Sequence, residues 1–230
     1  MSGPFFGKYR GVAVSAEDPS RLGRVMVQVP SVLGPTGMAW AMPCVPYAGP
    51  RVGVFAPPPP GAKVWVEFEG GDPEYPIWTG CFWGVGELPA SMPFTTTKGV
   101  YTLAGKVELR DLPGAGELTV QLGLPGQPTA ATVTLKPDGI ALRYGSSQIQ
   151  LGIAALDAQQ GAASLHLDPA GAVLKLGDSA LSVGPEAVEL ACSPGKAVVG
   201  RANVALTHGA ASVELMTATV ALNKKALEVI

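Results

Sequence analysis

The sequence predicts an all-β protein in which a small barrel is followed by a long, thin stack of very short strands. Three observations predict it. Glycine and proline are abundant, at 30 and 22 of 230 residues. No stretch of useful length holds an i, i+3, i+4, i+7 apolar pattern free of both, which leaves strands and turns rather than helices. Several segments alternate apolar and polar residues with the period of two that a half-buried strand needs. The large aromatics are also unevenly divided: they crowd the segment from Phe5 to Trp83, and after Tyr101 only Tyr144 remains. Aromatic side chains bury the most area each, so the first part can fill a compact core and the second must be narrow.

Taken in order, residues 9–15 alternate as a strand, and Glu17-Asp18-Pro19-Ser20 is a turn in which Asp and Pro favour tight local geometry. Residues 22–30 place Val25, Val27 and Val29 on one face of a second strand. A loop leads to a strand at 39–45. Residues 61–69 form the next, with Val64, Val66 and Phe68 opposite Lys63, Trp65, Glu67 and Glu69. Gly70-Gly71-Asp72-Pro73 then turns the chain into residues 75–82. Five or so short antiparallel strands with long loops fit a partly open barrel of the OB type. The Pro/Thr-rich stretch 88–97 reads as a connector, dividing the chain into an OB-fold barrel at residues 1–95 and a C-terminal part at 96–230.

In that C-terminal part the expected strands are short: 107–110, 118–122, 132–135, 140–144, 148–151 and 164–167. Apolar pairs follow at Leu174/Leu176, Leu181/Val183, Val188/Leu190, Val204/Leu206, Val213/Leu215, Val220/Leu222 and Leu227/Val229. Outside the region of Val198 they recur every seven to nine residues and are separated by turns such as Gly177-Asp178 and Gly184-Pro185, a degenerate repeat of one strand and one corner. Strands this short make no stable isolated sheet. They must stack, within one chain or with copies of it. The small side chains favour a narrow three-sided prism built from three chains: an intertwined trimeric β-helix of about a dozen strands, on the order of 60 Å long.

The chemistry is sparse. A net charge of −2, with six Lys/Arg against seven Asp/Glu in residues 1–95, argues against the single-stranded nucleic acid that OB barrels often bind. Cys44, Cys81 and Cys192 stand in no CxxC arrangement and read as small buried hydrophobes, not as a disulfide or metal framework. The start of the chain lacks an apolar core long enough for a signal peptide, and no apolar run is long enough for a transmembrane helix, so synthesis in the cytoplasm is expected. With only His166 and His208, both in the stacked part, no Ser/His/Asp or Cys/His site suggests itself. Glu67 and Glu69 share a strand face as a carboxylate pair would, yet that is also the outward face of a barrel strand. Pro57 to Pro60 read as a rigid approach to the next strand. The expectation is a non-enzymatic protein without catalytic residues, cofactor or metal. The end of the chain alternates to its last residue. In a trimer, Val220, Leu222, Leu227, Val229 and Ile230 would leave a flat apolar edge, the expected seat of a separate capping protein.

A family resemblance rests on the residues Tyr9-Arg10-Gly11-Val12-Ala13-Val14, Asp18-Pro19-Ser20-Arg21-Leu22-Gly23-Arg24-Val25, Ala39-Trp40-Ala41 and Val45-Pro46-Tyr47-Ala48-Gly49. It continues through residues 59–68 and Gly70-Gly71-Asp72-Pro73-Glu74-Tyr75-Pro76-Ile77-Trp78. In order and spacing these resemble the baseplate-assembly-protein-V and VgrG-type OB-fold spike family of contractile injection systems. The resemblance implies a homotrimeric, membrane-puncturing spike whose barrels sit on tail-tube or hub proteins of the baseplate and whose β-helix carries a PAAR-like tip. It implies assembly into a contractile particle, either a virion tail or a secretion or extracellular injection system, with only transient contact with the target membrane. The connector is too short for the lysozyme domain some phage spikes insert, and no His-x-His is present for the iron-binding apex of others. The alternative is a carbohydrate-active or receptor-binding trimeric β-helical fibre.

Overall fold

The computed structural model describes residues 3–89, 94–123, 130–223 and 227–229, and the chain divides into two compact units, Met1–Ala90 and Ser91–Ile230. The connector residues 90–93 and the expected tip residue Ile230 lie outside the described residues.

The first unit contains β1 (Tyr9–Ser15), β2 (Val25–Gln28), a single helical turn α1 (Pro30–Leu33) and β3 (Met38–Pro43). A two-stranded hairpin, β4 (Ala48–Gly49) and β5 (Val52–Gly53), precedes β6 (Lys63–Phe68) and β7 (Pro76–Phe82). Five of these strands close a barrel in the order β1-β2-β3-β7-β6, with β6 returning to β1. Not all are antiparallel, as the sequence led one to expect. β3 and β7 run parallel, with Met42 opposite Ile77 and Pro43 opposite Trp78, and this pair completes the barrel.

The alternation expected in β2 and β6 is realised side chain by side chain. Val25, Val27, Val29, Val64 and Val66 are all 0% exposed, and burying a valine fully stabilises by roughly 1.5–3 kcal/mol. Phe68 and Trp78 join them, and Phe5 and Tyr9 pack on Phe68 as a cluster of tilted and edge-on rings. Gly11 sits where Gln28 O, Val29 and Val66 approach so closely that a β-carbon would crowd all three. Val32 and Leu33 of α1 pack against the same core.

The second unit begins with a 3₁₀ turn (Phe94–Thr96), followed by β8 (Thr97–Thr102), β9 (Gly105–Arg110), β10 (Glu117–Leu122), β11 (Ala131–Lys136) and β12 (Gly139–Tyr144). Next come β13 (Ser147–Gly152), β14 (Leu156–Gln160), β15 (Ala163–Asp168), β16 (Gly171–Leu176) and β17 (Ser179–Val183). The last are β18 (Ala187–Cys192), β19 (Gly195–Gly200), β20 (Val204–His208), β21 (Ala211–Leu215), β22 (Val220–Leu222) and β23 (Leu227–Val229). All pair antiparallel with their chain neighbours in one 16-stranded sheet, a form compatible with the β-helix or prism that the sequence predicts. The expected dozen strands are therefore too few. β8, β14 and β19 were missed because their residues include polar or alanine-rich stretches such as Asp157-Ala158-Gln159-Gln160.

The true repeat unit is a hairpin, not one strand and one corner. Gly145, Gly161, Gly177 and Gly209 open two-residue turns between consecutive strands, each with φ of 57° or 58°. The residue after each has negative φ, so these are the turns with glycine first that match the twist of paired strands. They fall sixteen residues apart, with Ser193 taking the place between Gly177 and Gly209.

Candidate interaction surfaces

The register of the long sheet builds its main surface. Directly opposed positions run Val100, Val107, Val120, Val133, Leu142, Ile149, Ala158, Leu165, Leu174, Leu181, Leu190, Ala197, Leu206, Val213, Leu222 and, in register, Leu227. Every member is aliphatic. A second aliphatic row lies two residues away on the same face. It starts at Leu109 and Leu118 and continues through Leu135, Ile140, Leu151 and Leu156 to Val204, Leu215 and Val220. From residue 140 to 222 both rows keep the sixteen-residue period: Leu174, Leu190, Leu206 and Leu222 are one example, Ile149, Leu165 and Leu181 another.

A single chain leaves this face bare. Leu174 is 50% exposed, and Leu142, Ile149, Leu181, Leu190 and Leu206 are also exposed. Among the described residues of the second unit, Ala221 is the only buried hydrophobic one. Strands at the usual spacing extend the rows over roughly 70 Å. Two adjacent rows then make an apolar surface on the order of 700 Å², more than a free monomer usually tolerates.

The opposite face is mixed, with polar and charged residues set among small apolar ones such as Val173, Val198 and Ala221. Glu108, its side chain 4% exposed, is ion-paired to Lys106 at 2.8 Å and to Arg110 at 3.5 Å, and accepts a hydrogen bond from Tyr101 Oη at 2.6 Å. Burial pushes its carboxyl up, but the bonds from Lys106 and Tyr101 and the nearby positive charges outweigh burial and leave its pKa below the ordinary value. Further along, Asp157 lies directly across from His166, Nδ1 to Oδ1 2.6 Å, and Asp168 Oδ2 is 3.5 Å from Nε2. The Asp157 hydrogen bond is the main cause that raises the His166 pKa. His166 thus sits between two carboxylates, which sequence spacing alone did not reveal. Cross-strand register would have revealed it. His208 lies at the end of β20, opposite Gly195.

The expected tip residues meet in pairs: Val220 opposite Val229, and Leu222 opposite Leu227. β23 is the last strand of the sheet in the order described, paired only to β22.

In the barrel, Asp18 organises the loop between β1 and β2. Its carboxylate accepts from Arg24 Nε at 3.1 Å and Nη2 at 2.8 Å, and from the Ser20 and Leu22 backbone at 3.0 and 2.7 Å. The Arg24 guanidinium beside it is the main reason its pKa lies well below the carboxylate range, and the backbone N–H groups add to the effect. Arg24 in turn lies over the Trp40 ring. Glu67 and Glu69 do not form a pair on one strand: β6 ends at Phe68, Glu69 begins a 3₁₀ turn, and Glu67 is ion-paired to Lys8 at 2.7 Å. The three cysteines are exposed and unpaired, not the small buried hydrophobes that the sequence predicts. Cys192 falls on the same face of β18 as the exposed Val188 and Leu190.

A closed five-stranded barrel of OB type defines an OB module, and the chain also carries a long antiparallel sheet of a form compatible with a β-helix or prism. More particularly, residues 9–83 match the family described as the Type VI secretion system/phage-baseplate injector OB domain, and the barrel is a domain of that family. This agrees with the resemblance carried by the Asp18-to-Val25 and Gly70-to-Trp78 segments, and indicates a role in the baseplate of a phage tail or related injection machine. No curated protein matches the chain.

Proposed function

We propose that the chain is the central spike of a contractile injection machine and acts mechanically, without an active site. The observation that carries this reading is the double aliphatic row, which a single chain leaves in water. Three copies that turn these faces toward one axis bury it, and rings of three aliphatic side chains then stack at each strand level as a dry, narrow core. Strands hydrogen-bonded one after another along the axis make such a shaft stiff, as puncturing a membrane requires. The barrels dock on tube or hub proteins, and the β23 end, with Val220, Leu222, Leu227, Val229 and Ile230, receives a PAAR-like tip protein. The Asp157–His166–Asp168 ion pairs suit an outward polar face. The chain is made in the cytoplasm and assembled into the particle.

Light scattering on the purified chain tests the copy number. Three chain masses are expected, and a monomer at micromolar concentration would overturn the reading. Removing residues 219–230 should leave the trimer intact while abolishing capture of a PAAR-like protein. Unchanged capture would refute the assignment of the tip.

A further inference from the structure

The hairpin β4–β5 and the β1–β2 loop border an open groove of about 480 Å³ within the first unit. Leu22, Val52, Phe55 and Trp78 give it apolar walls, and Phe55 is 79% exposed. Two arginines, Arg21 and Arg51, line the same groove, and no carboxylate does. Among the described residues neither guanidinium has an ion-pair or hydrogen-bond partner. The carboxylate next to Arg21 in sequence, Asp18, is taken by Arg24.

The backbone singles out the same two residues. Arg21 has φ 53° and Arg51 φ 63°, the left-handed region that favours glycine. The barrel uses glycine for positive φ close by, at Gly23 and Gly53. Arg21 N–H donates to Asp18 O at 3.1 Å, as the turn requires, but among the described residues neither arginine side chain forms a bond that offsets the strain, and such strain concentrates at ligand clamps. The hairpin is also a two-stranded sheet of its own, so its outer edges offer unpaired main-chain groups to an added strand.

We propose that this groove binds an extended segment of a partner protein that carries both apolar side chains and carboxylates. The apolar groups would cover Val52 and Phe55, and the carboxylates would pair with Arg21 and Arg51. The charge balance of residues 1–95, six Lys/Arg against seven Asp/Glu, disfavours a nucleic acid as occupant. This inference rests on the reading that the barrel docks on a tube or hub protein, and adds the chemistry of the segment it takes.

Fluorescence anisotropy of the full chain with three labelled nine-residue peptides, valine alternating with glutamate, glutamine or lysine, tests it. At about 0.1 M salt, where surface charges are partly screened, the glutamate peptide should bind at least about tenfold tighter than the others. An Arg21→Gly/Arg51→Gly double variant should lose that preference while its unfolding midpoint holds or rises, because glycine relieves the left-handed backbone. Equal or absent binding of the three peptides, tighter binding of oligothymidylate, unchanged binding by the double variant, or a lowered midpoint in it would each overturn the proposal. Sedimentation of the chain with tube and hub proteins separates the two readings. Assembly that the double variant leaves intact sinks the groove but keeps docking. Binding of the glutamate peptide without assembly sinks docking but keeps the groove.

Discussion

The barrel and the long sheet use the same alternation of apolar and polar residues to opposite ends. In the barrel, five valines of β2, β6 and the segment after β2 point into a closed ring and vanish from solvent. In the sheet, a longer and more regular set of aliphatic residues points to one face, and many of them stay exposed. The difference lies in closure. β3 and β7 meet in parallel and seal the barrel, whereas each strand of the sheet pairs only with its chain neighbours and the sheet never returns on itself. One region is complete as a single chain. The other leaves its aliphatic face exposed.

Charge placed in each region breaks this comparison most sharply. Val66→Asp buries an unpaired carboxylate in a closed core and should unfold the barrel, seen as loss of near-ultraviolet circular dichroism from its tryptophans. Leu174→Asp would cost a lone chain little, because Leu174 is half exposed. In a trimer it sets three carboxylates at one level of a dry core and should abolish assembly in light scattering. A Leu174→Asp protein that remains trimeric would show that this face is not the interface.

The hairpin period is a finer lever. Deleting residues 163–178 removes one sixteen-residue unit and restores the turn and both rows, so the trimer should persist with only a small fall in melting temperature. Deleting residues 163–177 instead shifts the following strands by one residue, which sends their aliphatic side chains to the other face. That protein should aggregate or fail to assemble. Equal behaviour of the two deletions would argue against the register described above.

The smaller effects are electrostatic. The folded-state pKa of Asp18 is depressed, so its stabilising contribution is present above about pH 4, the unfolded value, and fades as pH falls toward the folded one. Asp18→Asn should lower the barrel's unfolding midpoint at neutral pH and flatten its decline in acid. His166 has the opposite sign. Its folded pKa is raised, so its contribution is full below about pH 6.5 and lost as pH rises through the folded value. His166→Gln should remove a shallow loss of stability of the sheet as pH rises above about 6.5. The effect should be the smallest of these, since the pair is exposed to solvent.

Much of this architecture was legible in the residues. Val25, Val27, Val29, Val64, Val66 and Phe68 announce their inward face by alternation, and Asp18-Pro19 announces its turn. The sixteen-residue spacing of Gly145, Gly161, Gly177 and Gly209 was equally available. Variable loop lengths on the other side of the sheet hid it, along with the substitution at Ser193. The three cysteines misled because residue type and spacing do not say which face of a strand is covered, and Cys192 lies on the exposed face of β18. Arg21 and Arg51 gave no signal, since nothing local marks a left-handed arginine or the groove that two distant loops share.

By itself the sequence determined where strands alternate, where the chain turns, and that aromatic bulk is confined to the first part. These are short-range matters of backbone sterics and side-chain direction. Only the tertiary structure decided that Met42 meets Ile77 to close the barrel, that Asp157 and Asp168 flank His166, and that the aliphatic rows run unbroken and uncovered from β9 to β22. Those outcomes depend on which segments pair and in what register. Pairing is set by loop closure and by competition among many similar strands, and no local pattern of residues records its result.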